Sequence, residues 1–155
     1  MSLQSLELKV PPVLVALIVA LLMWLIALVL PATPIATSAR WVGIVSLLAT
    51  GAYFSLAAVV SFKKAQTTVN PLQPDACSSL VTSGVYQRSR NPMYLGLLFV
   101  LIAWGLFLSN LFSVIFAAGF LLYMNRFQIQ PEERALLAVH GQDYSDYMIK
   151  VRRWL

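Results

Sequence analysis

Four stretches of this chain carry no charged residue: Val13 to Leu30, Trp41 to Phe62, Met93 to Leu108 and Leu111 to Met124. A charge at mid-membrane costs roughly 2.5 to 3.5 kcal/mol even on insertion scales, so this exclusion is what spanning helices require. Punctuation marks their ends. Pro11-Pro12 precede the first stretch, Pro31 and Pro34 follow it, and Pro92 stands where a first helical turn tolerates proline. At 1.5 Å per residue the first stretch reaches about 27 Å, close to a hydrocarbon core of roughly 30 Å. It is too long and too poorly charged at its start for a cleaved signal core, so it is expected to stay in the protein. Only Ser109 and Asn110 separate the third and fourth stretches, which predicts a tight antiparallel hairpin. On the second, Gly51, Ser55 and Ala58 form a small-residue stripe suited to close helix packing.

The polar remainder falls into two segments, Lys63 to Arg90 and Gln128 to Leu155. The first is expected to begin extended, because Asn70-Pro71 and Gln73-Pro74 bias the chain away from helix. In the second, Pro131 is expected to open a helix with Glu132 and Glu133 in its first turn, and Gly141 to close it. A second short helix then starts near Asp143, where Tyr144, Tyr147, Val151 and Trp154 recur at spacings of three and four. The expected fold is all-α, a polytopic integral membrane protein with about four transmembrane helices and a C-terminal cytoplasmic helical segment. It forms a single domain over 1–155, with an N-terminal helix pair over 1–62.

Composition supports lipid as the solvent: 59% of residues are hydrophobic and 11% charged, against roughly 25% charged in soluble domains. With a cytoplasmic N-terminus, Arg40 alone of the 11 Lys and Arg residues falls on the opposite face, and all 6 acids fall on the cytoplasmic one. Both termini are therefore expected in the cytoplasm, and function at that face. The expected location is the inner membrane of a prokaryote, with lipids and a lipophilic small molecule as partners and no nucleic acid. The one cysteine, Cys77, and the one histidine, His140, cannot make a zinc site. His140, beside Gly141, reads as a helix-end residue rather than a base.

Chemistry-bearing residues concentrate at two mouths. Gly84-Val-Tyr86-Gln-Arg88-Ser-Arg90-Asn91-Pro92-Met-Tyr94-Leu-Gly96 opens the third span, and Arg126 with Glu132-Glu133-Arg134 follows the fourth. The short turn makes these spans neighbours, so the clusters must face each other. Blander roles exist for each. Flanking cations are ordinary topology signals, first-turn glutamates complement a helix dipole by roughly 0.3 to 1 kcal/mol each, and Tyr and Trp form interfacial belts.

Residues 63–155, through Leu80-Val-Thr-Ser-Gly84-Val-Tyr86, Arg90-Asn91-Pro92-Met-Tyr94-Leu-Gly96, Arg126, Glu132-Glu133, Leu136, Gly141, Tyr144, Tyr147, Val151 and Arg153, resemble the isoprenylcysteine carboxyl methyltransferase family. That family belongs with the membrane phospholipid methyltransferases; residues 1–62 match it only in hydropathy. The resemblance implies a methyltransferase-like core over 63–155 that takes S-adenosylmethionine from the cytosol and a lipophilic acceptor from the bilayer. The acceptor would be a prenylcysteine-like carboxylate, a phospholipid amine or a thiol. It implies Arg90, Asn91 and Glu133 as catalytic residues, and Tyr86, Tyr94, Arg126, Glu132, Glu133, Tyr144 and Tyr147 around the cofactor, with no metal. Asn91 stands where the family commonly has histidine, and an amide cannot titrate. Two other classes compete: a nicotinamide-dependent membrane reductase and a non-catalytic membrane scaffold.

Overall fold

The computed structural model describes residues 7–65 and 80–155. The extended start expected at Asn70-Pro71 and Gln73-Pro74, together with Asp75 and Cys77, lies outside them. The described residues are helical throughout their regular parts: α1 Pro12–Val29, α2 Thr37–Lys64, a 3-10 turn Gly84–Gln87, α3 Pro92–Phe107, α4 Leu111–Tyr123, a π-helical segment Met124–Ile129 and α5 Gln130–Lys150. Three helical stretches are long and apolar enough to cross a membrane: Pro12–Val29, Thr37–Lys64 and the rod Leu111–Lys150. The apolar part of that rod is α4, and from Asn125 onward it is polar. The shorter α3 is the fourth apolar helix.

The surface is the inverse of a soluble protein's. Leu17, Leu21, Leu28 and Val29 on α1, Val42 and Leu56 on α2 and Ile115 and Leu122 on α4 all point outward, as lipid-facing positions do, since hydrocarbon does not drive such side chains inward. What holds the helices together is therefore close packing. A methyl group at Gly51 would come within 2.9 Å of the Gly96 carbonyl oxygen, and one at Gly96 would collide with Ser55. The small-residue stripe is thus the α2–α3 seam. One apolar cluster joins Val15, Val19 and Met23 of α1 to Leu101 of α3 and Phe120 and Met124 of the fourth rod. A second joins Phe54 and Ala58 of α2 to Leu95, Tyr144 and Tyr147. Central α3 touches both, whereas α1 and α2, although consecutive, pack mainly on other helices.

The bundle end opposite the acids is closed by polar contacts around the α3–α4 turn. Asn110, almost wholly buried, caps α4 by accepting from the Ser113 N–H at 3.0 Å and donates to the Leu30 and Pro31 carbonyls. Ser109 adopts φ 50° and accepts a hydrogen bond from Arg40 at 2.5 Å. The solitary basic residue of that end therefore ties α2 to the expected hairpin.

One expectation fails in detail. No new helix begins at Pro131; the chain runs on from α4 through the π-helical segment into α5. Proline lacks an N–H and its ring crowds the carbonyl four residues back, which here is Phe127. That freed carbonyl instead accepts the Leu8 N–H at 3.0 Å. The π segment absorbs the mismatch, with the Gln130 N–H bonded to the Asn125 carbonyl. Farther on, Gly141 has φ 52° and ψ −121° and kinks the rod, where the helix end was expected.

Candidate functional site

Because Pro131 lies within a continuous rod, Glu132 and Glu133 do not sit at a free helix N-terminus, and the helix-dipole account of them loses its basis. Consecutive helical residues point about 100° apart. The two carboxylates consequently enter different surroundings.

Glu133 is buried and faces cations. Arg153 donates to it through Nε at 3.1 Å and Nη2 at 2.6 Å, a bidentate fork, and Arg90 Nη1 lies 3.1 Å from its Oε1. Both its oxygens are thereby engaged. The hydrogen bond from Arg153 to Glu133 raises that guanidinium's proton affinity further. Arg90 is partly buried, and its Nε, shielded from solvent, has no hydrogen-bond partner among the described residues. Tyr144 stands beside this group; burial, with a smaller contribution from the Glu133 charge, pushes its phenol up to about 12 while Arg90 pulls the other way.

Glu132 turns toward the bundle interior. Tyr94 Oη donates to its Oε1 at 2.5 Å and Gln128 Nε2 to the same oxygen at 2.6 Å. Gln128 comes from the π segment and is buried, as is Tyr94 from the first turn of α3. No cation pairs with Glu132 among the described residues. Burial, helped weakly by the Glu133 charge and opposed by the two hydrogen bonds, pushes its carboxyl up to about 7.

The remaining expected residues serve mainly to bind the tail. Asn91 Nδ2 donates to the Arg153 carbonyl at 2.9 Å, and the Arg90 N–H to the Arg152 carbonyl at 3.0 Å. Tyr147 Oη donates to the Tyr86 carbonyl at 2.7 Å, closing α5 over the 3-10 turn, and burial pushes the Tyr147 phenol up. Arg126 is placed apart: it and Arg134 bind the Glu7 carboxylate, and the Arg126 hydrogen bond holds that carboxyl below its ordinary range. The structure thus brings Arg90, Glu133, Tyr144, Glu132 and Tyr94 together, puts Tyr86 and Tyr147 beneath them, and turns Arg126 to the N-terminal segment. Sequence reasoning passed over Gln128, whose spacing of four from Glu132 was a usable signal, and gave Arg153 no site role because nothing local ties it to a residue twenty positions earlier.

The chain is thus a helical membrane bundle that gathers a mixed-charge cluster of carboxylates, guanidinium groups and phenols at one end. A family model described as phospholipid methyltransferase matches residues 39–143, and the chain belongs to that family of membrane methyltransferases. Over 63 residues, 41% of this chain, it is 46% identical to an uncharacterized protein of Haemophilus influenzae, all of whose length is covered. No solved structure matches the chain. The family region begins within α2, well before the residue 63 at which the motif resemblance began, and ends just before Tyr144. The α2–α3 seam therefore belongs to the family region, whereas Tyr144, Tyr147 and Arg153 lie beyond it.

Proposed function

We propose that this membrane methyltransferase uses S-adenosylmethionine to methylate a lipophilic acceptor at the charged end of the bundle. The observation that carries the reading is the cluster of Arg90, Glu133 and Tyr144 directly beside Glu132 and Tyr94, at the mouth of α3 in an otherwise apolar bundle. The residues suit the cofactor's chemistry. The buried Arg90 Nε is an unspent donor for a carboxylate, and Tyr144 offers a ring and a hydroxyl. When bound, the cofactor would supply an electrophilic methyl group on sulfur. Displacement at such a methyl is in-line and needs no metal, so the protein's part is to align the partners and exclude water. Both-termini-cytoplasmic topology would let the cofactor enter from the cytosol and the acceptor from the bilayer.

Calorimetry of the detergent-solubilised protein with S-adenosylmethionine and with its demethylated product is the direct test. Saturable binding that survives a chelator is expected, with Arg90→Ala weakening it about ten- to a hundredfold, the equivalent of one charge-assisted hydrogen bond of roughly 1.5 to 3 kcal/mol. Arg40→Ala, at the other end, should leave the affinity unchanged. Preferential binding of a reduced nicotinamide cofactor would favour the reductase reading instead.

A further inference from the structure

Beyond the methyltransferase reading, we propose that Arg126 and Arg134 form a phosphate-binding fork for the headgroup of an anionic phospholipid, a lipid that is held there and is not the methyl acceptor. Arg126 was expected at the cofactor and is turned away from it. Its Nη1 donates to Glu7 Oε1 at 2.6 Å, and Arg134 Nη2 donates to the other oxygen, Oε2. Guanidinium groups from the π segment and from α5 thus hold a two-oxygen anion between them, one oxygen each. A phosphodiester presents the same pair of oxygens, its two non-bridging ones. Glu7 balances only one of the two charges, and Lys9, exposed two residues further on, adds a third cation. The arginines can also be reached: their side chains are 40% and 57% exposed, whereas that of Glu7 is 15% exposed.

The fork sits where lipid gives way to water. Apolar α1 begins at Pro12, and the rod that starts as α4 turns polar from Asn125. Arg126 lies over the Phe127 ring at 5.4 Å, and Phe127 packs on Tyr123 with centroids 4.9 Å apart, so an aromatic pair fixes the guanidinium at headgroup level. One flanking arginine is an ordinary topology signal; two that close on a single anion make a binding geometry. Charge selects the occupant. A zwitterionic headgroup brings its own ammonium to its phosphate, whereas an anionic one matches the cation excess of a chain with net charge +5. Glu7 is then the internal occupant that the lipid displaces. Its segment is tethered also by the Leu8 N–H, bonded to the Phe127 carbonyl at 3.0 Å, and Leu8 has φ 57°, a region disfavoured for a residue with a bulky side chain. Lifting Glu7 off the fork lets Leu8 relax. The residue after Phe127 is Gln128, which donates to Glu132, so the exchange of Glu7 for lipid takes place one residue from the charged cluster.

The test uses the full chain in phosphatidylcholine nanodiscs containing spin-labelled phosphatidylglycerol, with the same label on phosphatidylcholine as reference. Both leaflets carry the probe, so the result does not depend on topology. Phosphatidylglycerol is expected to show a larger motionally restricted population than phosphatidylcholine, and unlabelled phosphatidylglycerol should quicken hydrogen exchange at the Leu8 amide. Since a cation at an anionic bilayer surface strengthens attachment about fivefold, Arg126→Ala or Arg134→Ala should each weaken the preference by about that factor, and the double variant by about 25-fold. Arg88→Ala, which removes another exposed cation, should have a smaller effect. Glu7→Gln, which removes the internal anion, should strengthen the preference. Arg126→Lys with Arg134→Lys keeps the charges without the planar forks and should retain only part of it. Equal restriction of the two lipids, an equal loss in Arg88→Ala, or a weaker preference in Glu7→Gln would each overturn the site. Leu8 exchange that quickens with soluble glycerol phosphate but not with phosphatidylglycerol would give the fork to a free phosphate and overturn the lipid. S-adenosylmethionine enters none of these measurements, so they stand or fall apart from the proposed reaction.

Discussion

Glu132 and Glu133, neighbours in sequence, should respond to the same substitution with opposite sign. The Glu132 carboxyl binds its proton more tightly in the folded chain, at about 7, than an unfolded glutamate does. Its contribution to stability is therefore fully present below the unfolded value near 4.3 and is lost as pH rises through about 7, a difference of order 3 kcal/mol. Glu132→Gln is expected to raise the unfolding temperature in detergent at pH 8 and to leave it unchanged near pH 4. A lower unfolding temperature at both pH values would make Glu132 a structural residue. Glu133→Gln should behave in the contrary way, because it leaves the partly buried Arg90 without its counter-charge. Breaking such a pair from one side costs about 3 to 5 kcal/mol. Stability gained on removing a charge from a site, with activity lost, is the signature of a group kept for chemistry.

At the scale of elements, the π segment and the α2–α3 seam carry the strongest expectations. Pro131→Ala gives residue 131 an N–H that competes for the Phe127 carbonyl now held by Leu8. Hydrogen exchange at the Leu8 amide should then quicken, and Gln128 should turn away from Glu132. Unchanged protection of Leu8 would show that Glu7, bound by Arg126 and Arg134, is sufficient to hold the N-terminal segment. Since those arginines lower the Glu7 carboxyl, their hold is present above the ordinary glutamate range and is lost on acidification, so the protection factor of the same amide, taken relative to the intrinsic exchange rate at each pH, should fall in acid. At the seam, Gly96→Ala inserts a methyl against Ser55 and 2.8 Å from the Gly51 carbonyl oxygen. Overpacking of this kind costs about 1 to 3 kcal/mol. Adding Ser55→Ala should restore only part of the loss in unfolding temperature, because the backbone contact with Gly51 remains.

For the whole molecule, the placement of charge predicts the orientation. Arg40 and the α3–α4 turn close one end, while Arg90, Glu132, Glu133 and Arg153 gather at the other. In a Cys77→Ser background, single cysteines at exposed Thr37, Ser83 and Gln142 can be probed with an impermeant thiol reagent. Thr37→Cys should label from outside intact cells, and the other two only after the membrane is opened. External labelling of Gln142→Cys would invert the proposed topology and place the site on the other face.

The apolar helices were legible in the sequence because exclusion of charge from lipid is a property of each segment alone, settled residue by residue by solvation. Their neighbours were partly legible: a two-residue turn leaves α3 and α4 no choice but to pair, and the stripe Gly51, Ser55 and Ala58 suited α2 to a close seam, although its partner Gly96 emerged only from the packing. The motifs around Arg90 and Glu132-Glu133 likewise pointed to the family later found. Long-range contacts decided the rest. Helix periodicity says that two adjacent glutamates diverge, but not which one meets cations. That depended on Arg153 folding back from beyond the Gly141 kink, and on a proline that shifts the rod into π geometry and turns Gln128 inward. Such pairings are set by the mutual packing of distant segments, where burial and counter-charge act together, and no local pattern encodes them.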